Sequence, residues 1–326
     1  MAYPISGSPA LVSGTYPAYS SSASGSKFIP ELWSGKLQVK FYKTTVLTEI
    51  TNNDWEGEIK GQGDKVHIRS IPTITINDYQ KGQSLTNEVP VSTPLELLID
   101  KGKYFSVVVD DIDAVQADVK LMDIFTNDAA QQMRIAIDGN VLQSVYADAD
   151  AANKGTNAGK LSGGINLGTA GAAVQVTKAN VLDLILDMGQ CLDEQNVPEE
   201  GRWLVVPPWV AAAIKNSDLK QAYLTGDSVS PLRNGKLGQI DRFTLYVSNN
   251  LLQVADDAGT SSDTSDDFNG FYALAGTRDA ISFASQITNV ETLRAQSTFG
   301  NIMRGLNVFG YKTVKPEALV TAYIKK

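Results

Sequence analysis

Apolar and polar side chains alternate from Lys65 to Arg69. Val66 and Ile68 fall between three basic residues, Lys65, His67 and Arg69. Successive side chains of a strand point to opposite faces. The segment is therefore predicted to be a strand with one apolar face and one basic face.

The alternation continues at Ile74 and Ile76, and strand-like runs follow at residues 95–99 and 104–109. A polar stretch around Lys81 that contains glycine and proline separates the first run from the others. These residues are predicted to form a long antiparallel excursion with a loose tip. It has too few large side chains for a core of its own, so we expect it to need a partner surface.

Three segments have apolar residues at spacings typical of amphipathic helices. The first has Leu32, Leu37, Phe41 and Val46 on one face. The second follows a run of acids, is long enough to lie across a sheet, and has a candidate break at residues 126–128. Its stripe consists of Val115, Val119, Met122, Ala129, Met133, Ala136, Ile137, Val141 and Val145. The third has Thr177 as its candidate cap and Val181, Leu184, Ile185, Met188 and Leu192 as its stripe.

Short strand-like runs fill most of the remaining chain. They lie at residues 203–206, 243–247, 271–275, 281–284 and 306–324, with a short helix predicted at 209–214. Helices and strands are interspersed without a regular βαβ series. The pattern therefore indicates a mixed α+β protein.

Charge and terminal composition narrow the possible functions. The 326 residues carry a formal net charge of −8, which argues against a dedicated nucleic-acid-binding protein. No apolar run approaches the ~20 residues of a membrane span. The first 26 residues contain no charged side chain and no apolar signal-peptide core. They are rich in Ser and Ala and include three tyrosines, so we expect an arm that stays mobile or is ordered by lying on another surface. The alternative interpretation is a frayed terminus with no role.

The chain has one histidine, His67, and one cysteine, Cys191. A two-histidine metal site, a CxxC zinc site and a disulfide framework are therefore excluded. The GxSxG motif and the phosphate-binding GxxxxGK[ST] motif do not occur. We interpret His67 as a strand-surface residue and Cys191 as a core residue of a helix, rather than as a catalytic pair. The sequence predicts no catalytic residue, cofactor or metal ligand.

A series of short segments, in order over residues 28–320, carries a family resemblance. They are FIPELW (28–33), WEGEI (55–59), GQGDKV (61–66), LLIDK (97–101), VDDID (109–113), DAAQQM (128–133), VVPP (205–208), LRNG (232–235), FG (299–300), RGL (304–306) and FG (309–310). Their order and spacing together resemble the major capsid proteins of tailed bacteriophages. No single segment is specific by itself.

The resemblance implies an α+β fold, the shell fold shared with herpesvirus capsids. Its parts are an N-terminal arm, an extended β-hairpin loop, a spine helix, a peripheral domain and an axial domain. The expected divisions are 1–27 (flexible arm), 28–53 (helical entry segment), 54–109 (extended loop), 110–175 with 288–326 (peripheral domain with spine helix) and 176–287 (axial domain).

The implied function is that of a structural protein rather than an enzyme. It would self-assemble into pentamers and hexamers that form the icosahedral head shell around the phage genome. We expect it in the virion, and in the host cytoplasm during assembly. Expected partners are other copies of the chain, scaffold and portal proteins, and a cement protein as a further candidate. Double-stranded DNA would be enclosed without sequence-specific binding, and no membrane is involved.

Two other classes remain open at this point. A surface-layer or filament-forming protein agrees with the acidity and the polar loops but lacks a signal sequence. A ligand-binding protein or enzyme lacks the site chemistry.

In the implied shell the extended loop reaches over an adjacent subunit, so its basic face is expected to meet carboxylates there. The candidate contact residues are Lys65, His67, Arg69 and Lys81 on the loop, and Asp110, Asp111, Asp113 and Asp118 near the spine helix. The other interpretation is a solvated strand face, because exposed ion pairs contribute little.

Overall fold

A seven-stranded sheet, a three-stranded sheet and a two-stranded hairpin form the β-structure of the described residues. The computed structural model describes residues 40–55, 65–69, 71–72, 74–85, 87–92, 94–110, 121–217, 238–256, 268–296 and 299–326. The α-helices are α1 (Leu47–Ile50), α2 (Leu121–Val145), α3 (Val181–Glu194) and α4 (Pro208–Lys215). The strands are β1 (Lys65–Arg69), β2 (Pro94–Leu98), β3 (Lys101–Asp110), β4 (Val174–Gln175), β5 (Arg202–Val206), β6 (Gln239–Ile240), β7 (Phe243–Val247), β8 (Gln253–Asp256), β9 (Phe268–Thr277), β10 (Ile281–Arg294), β11 (Gly300–Thr313) and β12 (Leu319–Lys325). All of these elements belong to one compact unit, Tyr42–Lys326.

The seven-stranded sheet has the order β4-β12-β9-β5-β7-β6, with β8 paired to β9. Its central strand β5 is buried along its whole length. β5 runs parallel to β7, and α4 lies in the connection between them. β12 pairs with β9, so a strand from the expected peripheral residues joins a sheet made mostly of the expected axial residues. The main core lies between this sheet, α3, α4 and the C-terminal part of α2.

α3 has the predicted apolar stripe, since Val181, Leu184, Ile185, Met188 and Leu192 are all buried. The expected cap at Thr177 is wrong, because the helix begins at Val181. The backbone N–H and the hydroxyl of Thr177 both donate to Oδ1 of Asn180, at 2.7 and 3.0 Å. The Thr177 side chain is therefore used in the turn that precedes the helix.

α2 has 25 residues and is about 38 Å long. The break expected at residues 126–128 is wrong, because the helix continues through them. Two of these side chains bond to other segments: Thr126 Oγ1 donates to Met303 Sδ at 2.8 Å, and Asp128 Oδ1 accepts from the Tyr42 hydroxyl at 2.8 Å. The predicted stripe is buried at Ile137, Val141 and Val145, whereas Ala136 is exposed.

The three-stranded sheet has the order β10-β11-β3. β3 pairs antiparallel with β11 from Lys101↔Phe309 to Asp110↔Gly300, so the last strand of the predicted excursion belongs to this sheet. β10 runs across the expected boundary between axial and peripheral residues.

The hairpin of β1 and β2 is antiparallel and joins this sheet at its base. Ile68, Leu97, Ile99 and Ala284 form a small separate core there. At Gly310 the backbones approach so closely that a Cβ would collide with the Leu98 carbonyl oxygen.

Two further predictions fail. Ile74 and Ile76 lie in an extended segment that pairs with no strand of the described chain. Residues 40–46 are not helical, and the helix after them is only one turn long. The cause is a tertiary contact, since the N–H groups at the start of α1 donate to a carboxylate of α2. The expected arm, residues 1–27, and the rest of the first predicted helix lie outside the described residues.

Candidate assembly surfaces

β1 has the basic face that the alternation predicts. Lys65, His67 and Arg69 are exposed on one side, and Ile68 is buried on the other. Glu96 lies opposite His67 in the register with β2. Its Oε1 atom is 3.4 Å from Lys65 Nζ and 3.5 Å from His67 Nδ1. One carboxylate of the same chain therefore already faces two of the three basic side chains.

Arg69 differs from the other two basic residues. It lies opposite Pro94, and it forms no ion pair within the described part of the chain. Of the three, only Arg69 has no carboxylate of the described chain within ion-pair distance. Sequence reasoning missed Glu96 because the register between β1 and β2 cannot be read from the alternation of either strand alone.

The structure places the other candidate contact residues in different regions. Lys81 is exposed in a turn, followed by Gly82 with a φ of 88°. Asp110 ends β3, in a different sheet from β1, and is half-buried. Asp111, Asp113 and Asp118 lie outside the described residues.

The loop between β1 and β2 exposes many large apolar side chains. We call residues 71–92 the hairpin tip. Its exposed members are Ile71, Ile74, Ile76, Tyr79, Leu85, Val89 and Val91. Ile76 is 90% exposed, so this tip is apolar surface that the described chain leaves uncovered. Exposed apolar residues concentrated in one segment are typical of interaction sites.

The three-stranded sheet has a second uncovered surface. Met303 points towards α2, and alternation places Tyr104, Val108, Leu293 and Leu306 on the opposite side, which we call the sheet outer face. These four residues are exposed, Tyr104 by 80%. A groove of about 490 Å³ lies on this side of the sheet, and the ion-paired Arg304 and Glu291 are among its lining residues.

A buried carboxylate fixes the chain where it enters this unit. Asp138 of α2 is 1% exposed. Its Oδ1 accepts from the N–H groups of Val46 and Leu47, both at 2.9 Å, and its Oδ2 accepts from Asn250 Nδ2 at 2.6 Å. Burial raises the pKa of Asp138, although the three hydrogen bonds act in the opposite direction.

An ion-pair network anchors the end of α3. The guanidinium of Arg202 is buried and bonds to Asp193 at 2.7 Å, and Arg242 bonds to the other oxygen of Asp193 at 2.7 Å. Burial acts to raise the pKa of Asp193, but the hydrogen bonds and charges of the two arginines hold it below its ordinary value. Arg202 also donates to the carbonyl oxygens of Pro198 and Val197. A network saturated in this way is structural.

Cys191 is buried in the main core, and His67 is on the hairpin surface, so the two form no catalytic pair. Burial raises the pKa of the Cys191 thiol to about 12, which keeps it neutral and unreactive. Among the described residues there is no group of three metal-ligating side chains. In the same part of the chain no helix is both long and apolar enough to cross a membrane.

Comparisons with known proteins identify the family of this chain. A family model described as phage capsid protein matches residues 94–322. A solved structure from Mycobacterium phage Che8 is 30% identical, with 90% of this chain and 97% of that chain covered and a TM-score of 0.72. The mature capsid of bacteriophage PhiM1 is 15% identical, with 98% of both chains covered and a TM-score of 0.62. The capsid of cyanophage P-SCSP1u is 15% identical, with 93% and 95% covered and a TM-score of 0.67. No curated protein gives a significant match.

The family model covers residues 94–322, which is more than half of the chain. The chain belongs to the phage capsid protein family. It has the tailed-phage capsid fold and is a non-enzymatic structural protein of the virion's capsid shell. The fold class and function predicted from the sequence are thereby confirmed.

Proposed function

We propose that this capsid protein assembles into pentamers and hexamers that close an icosahedral shell around double-stranded DNA. The observation that carries the proposal is the large apolar surface of the hairpin tip, with Ile76 90% exposed. A two-stranded ribbon is at best marginally stable in water. Copies of the same chain would supply the missing cover, as symmetric assembly requires.

The proposed divisions of the subunit follow the family pattern. Residues 54–109 act as the extended loop, α2 as the spine helix, and 176–287 as the axial domain. The peripheral domain is 110–175 with 288–326, and 1–27 and 28–53 are the arm and entry segment. The hairpin base supports this division, because it has its own small core around Leu97, apart from the main core.

The proposed contact between copies uses the basic face of the hairpin. Arg69 would face carboxylates of the adjacent subunit. Lys65 and His67 would face them as well, in addition to their contacts with Glu96 of their own chain. Scaffold, portal and cement proteins are further proposed partners. The net charge of −8 supports a shell that encloses DNA without binding its phosphates tightly.

Electron microscopy and sedimentation of the purified full-length chain test the proposal. Closed shells with pentameric and hexameric units are the expected result. Filaments or flat sheets would favour the surface-layer alternative, and a small discrete oligomer under all assembly conditions would contradict a shell. Binding of double-stranded DNA, measured by anisotropy near 0.15 M salt, is expected to be weak and independent of sequence.

A further inference from the structure

An exposed loop between α2 and α3 is fixed by a carboxylate of α3. We call residues 159–164 the Glu194 loop. Glu194 Oε2 accepts from the backbone N–H groups of Leu161 and Ser162, at 2.7 and 3.1 Å. Its Oε1 accepts from the side-chain amide of Gln190 at 2.9 Å. The hydrogen bond from Leu161, together with those from Gln190 and Ser162, lowers the pKa of Glu194 to about 2. The carboxylate is therefore ionised near neutral pH and holds the apex of the loop.

The base of the Glu194 loop is held by backbone hydrogen bonds. Ala158 and Ile165 exchange two of them, at 2.8 and 3.0 Å. The N–H of Gly159 donates to the Ala152 carbonyl oxygen at 2.7 Å. Gly159 has a φ of 96°, in the left-handed region that favours glycine. The loop is thus fixed at its base as well as at its apex.

The side chains at the apex are not used within the described chain. Leu161 is 82% exposed. Lys160 is also exposed, and it forms no ion pair with a described residue. Fixing this backbone costs conformational entropy without burying the leucine, whereas a binding surface that is already ordered avoids that cost on association. An apolar side chain beside a cation fits a partner that offers an apolar side chain beside carboxylates.

The exposed side of α3 carries this complementary set. Leu186 is 54% exposed. Asp183 lies one helical turn before both Leu186 and Asp187, so the three side chains are neighbours on the helix surface. We call these three residues the α3 face. Burial raises the pKa of Asp187, and the charge of Asp183 acts in the same direction. Neither carboxylate forms an ion pair within the described chain, so their mutual repulsion is left without a neighbouring cation.

We propose that the Glu194 loop of one copy binds the α3 face of the next copy. Leu161 would pack against Leu186, and the ammonium of Lys160 would pair with the two carboxylates. The two surfaces are different parts of one subunit, so the contact is heterologous and joins copies head to tail. Contacts of this kind close into rings when the rotation between neighbours permits it. The inference rests on the proposed function, because pentamers and hexamers are such rings.

Photocrosslinking tests which surface the loop meets. The variant Leu161→benzoylphenylalanine is mixed as a minor fraction with unmodified full-length chain, and the assembled shells are irradiated. Cross-links between position 161 of one copy and residues 181–190 of another are expected by peptide mass spectrometry. The control is Ala170→benzoylphenylalanine, an exposed position in the same connection, which should not give them. Cross-links from position 161 only to other surfaces, or only within its own copy, would overturn the proposal.

Charge exchange tests the pairing itself. Lys160→Asp, and separately Asp183→Lys/Asp187→Lys, should each raise the subunit concentration needed for half-maximal assembly at least about tenfold. The triple variant should assemble within about threefold of the parent, because opposite charges face each other again. Light scattering near 0.1 M salt measures assembly, and circular dichroism checks folding. A folded triple variant that assembles no better than the two partial variants would overturn the proposal.

A second comparison applies if the α3 variants fail to fold. Leu161→Asp changes only an exposed side chain and should block assembly, whereas the control Ala170→Asp should assemble like the parent. Normal assembly of Leu161→Asp would contradict this inference alone. Electron microscopy of the unmodified chain is scored separately, and an absence of shells there would contradict the proposed function.

Discussion

Asp138 and Asn250, which are 112 residues apart, share a buried hydrogen bond of 2.6 Å. The same Asp138 carboxylate accepts from the backbone of Val46 and Leu47. One side chain of the spine helix thus holds both the entering chain and a loop that follows β7. A carboxylate that accepts three donors in a buried position is costly to remove, because the donors are left unpaired.

The first prediction concerns the size of that cost. Asp138→Ala is expected to lower the free energy of unfolding of the subunit by about 3 kcal/mol, because two backbone N–H groups lose their acceptor. Asp138→Asn keeps one acceptor oxygen, so its free energy of unfolding is expected to fall by only about 1 kcal/mol. The control is Asp148→Ala, since the exposed Asp148 accepts a single bond, from the hydroxyl of Thr313. Urea unfolding measures the free energy of unfolding of the three variants. An equal loss in Asp148→Ala and Asp138→Ala would contradict the prediction.

The second prediction concerns pH. Because burial raises the folded-state pKa of Asp138 from 3.8, the folded state keeps its proton over a range in which the unfolded chain has lost it. The contribution of this group to stability is therefore present below pH 3.8 and is lost as pH rises through the folded pKa. Asp138→Asn cannot titrate, so its stability relative to the parent should improve as pH rises through that range. Urea unfolding at matched pH values checks this, and a constant difference would argue against a raised pKa.

The third prediction separates the basic residues of the hairpin. Arg69→Glu should leave the subunit folded, because Arg69 has no ion pair in the described chain, but should weaken assembly near 0.1 M salt. Lys65→Glu/Arg69→Glu should abolish assembly under the same conditions, because the face proposed to meet carboxylates of the adjacent subunit would then carry negative charges itself. At about 1 M salt, both variants should assemble more like the parent, because salt screens the repulsion between the introduced carboxylates and those of the neighbouring copy. Light scattering measures assembly.

Lys178→Glu is the charge-matched control for that experiment, because Lys178 is exposed away from the hairpin. It should assemble like the parent. Normal shells from the double variant at low salt would leave the basic face to solvent.

The fourth prediction concerns the hairpin base. Gly310→Ala would place a methyl group against the Leu98 carbonyl oxygen, and it is expected to lower the free energy of unfolding by about 1–3 kcal/mol. Gly102→Ala, in the neighbouring β3, meets no atom within 4 Å and is expected to be neutral or slightly stabilising. Thermal unfolding of the two variants compares them, and equal melting temperatures would show that the close approach has no energetic consequence.

Sequence patterns correctly predicted those elements in which the spacing of the element's own apolar residues determines the buried face. The alternation around Ile68 and the stripe that contains Met188 are of this kind, since each repeats its period over several residues. The same patterns failed where a distant residue decides the structure. Val46 continues a helical stripe, but Asp138 accepts its N–H and holds the preceding chain out of a helix.

The assembly surfaces were predicted in part for the same reason. The basic face of β1 follows from alternation, but Glu96 joins it only through the register of two strands. Ile74 and Ile76 have the alternation of a strand, but nothing in the described chain covers their apolar face. Asp138 looks like an ordinary polar position of a helix until residues 46 and 250 fold against it.

The hairpin is also a mechanical attachment. Only Ile99 and Asp100 separate β2 from β3, so tension on the hairpin reaches β3 almost directly. β3 is bonded to β11 from Lys101 to Asp110, and antiparallel ladder bonds run perpendicular to their strands. A load that arrives along β3 is therefore shared by the whole ladder in shear, instead of opening it one bond at a time. The loop by which one subunit would hold another is thus tied into its own subunit by a joint suited to bear tension.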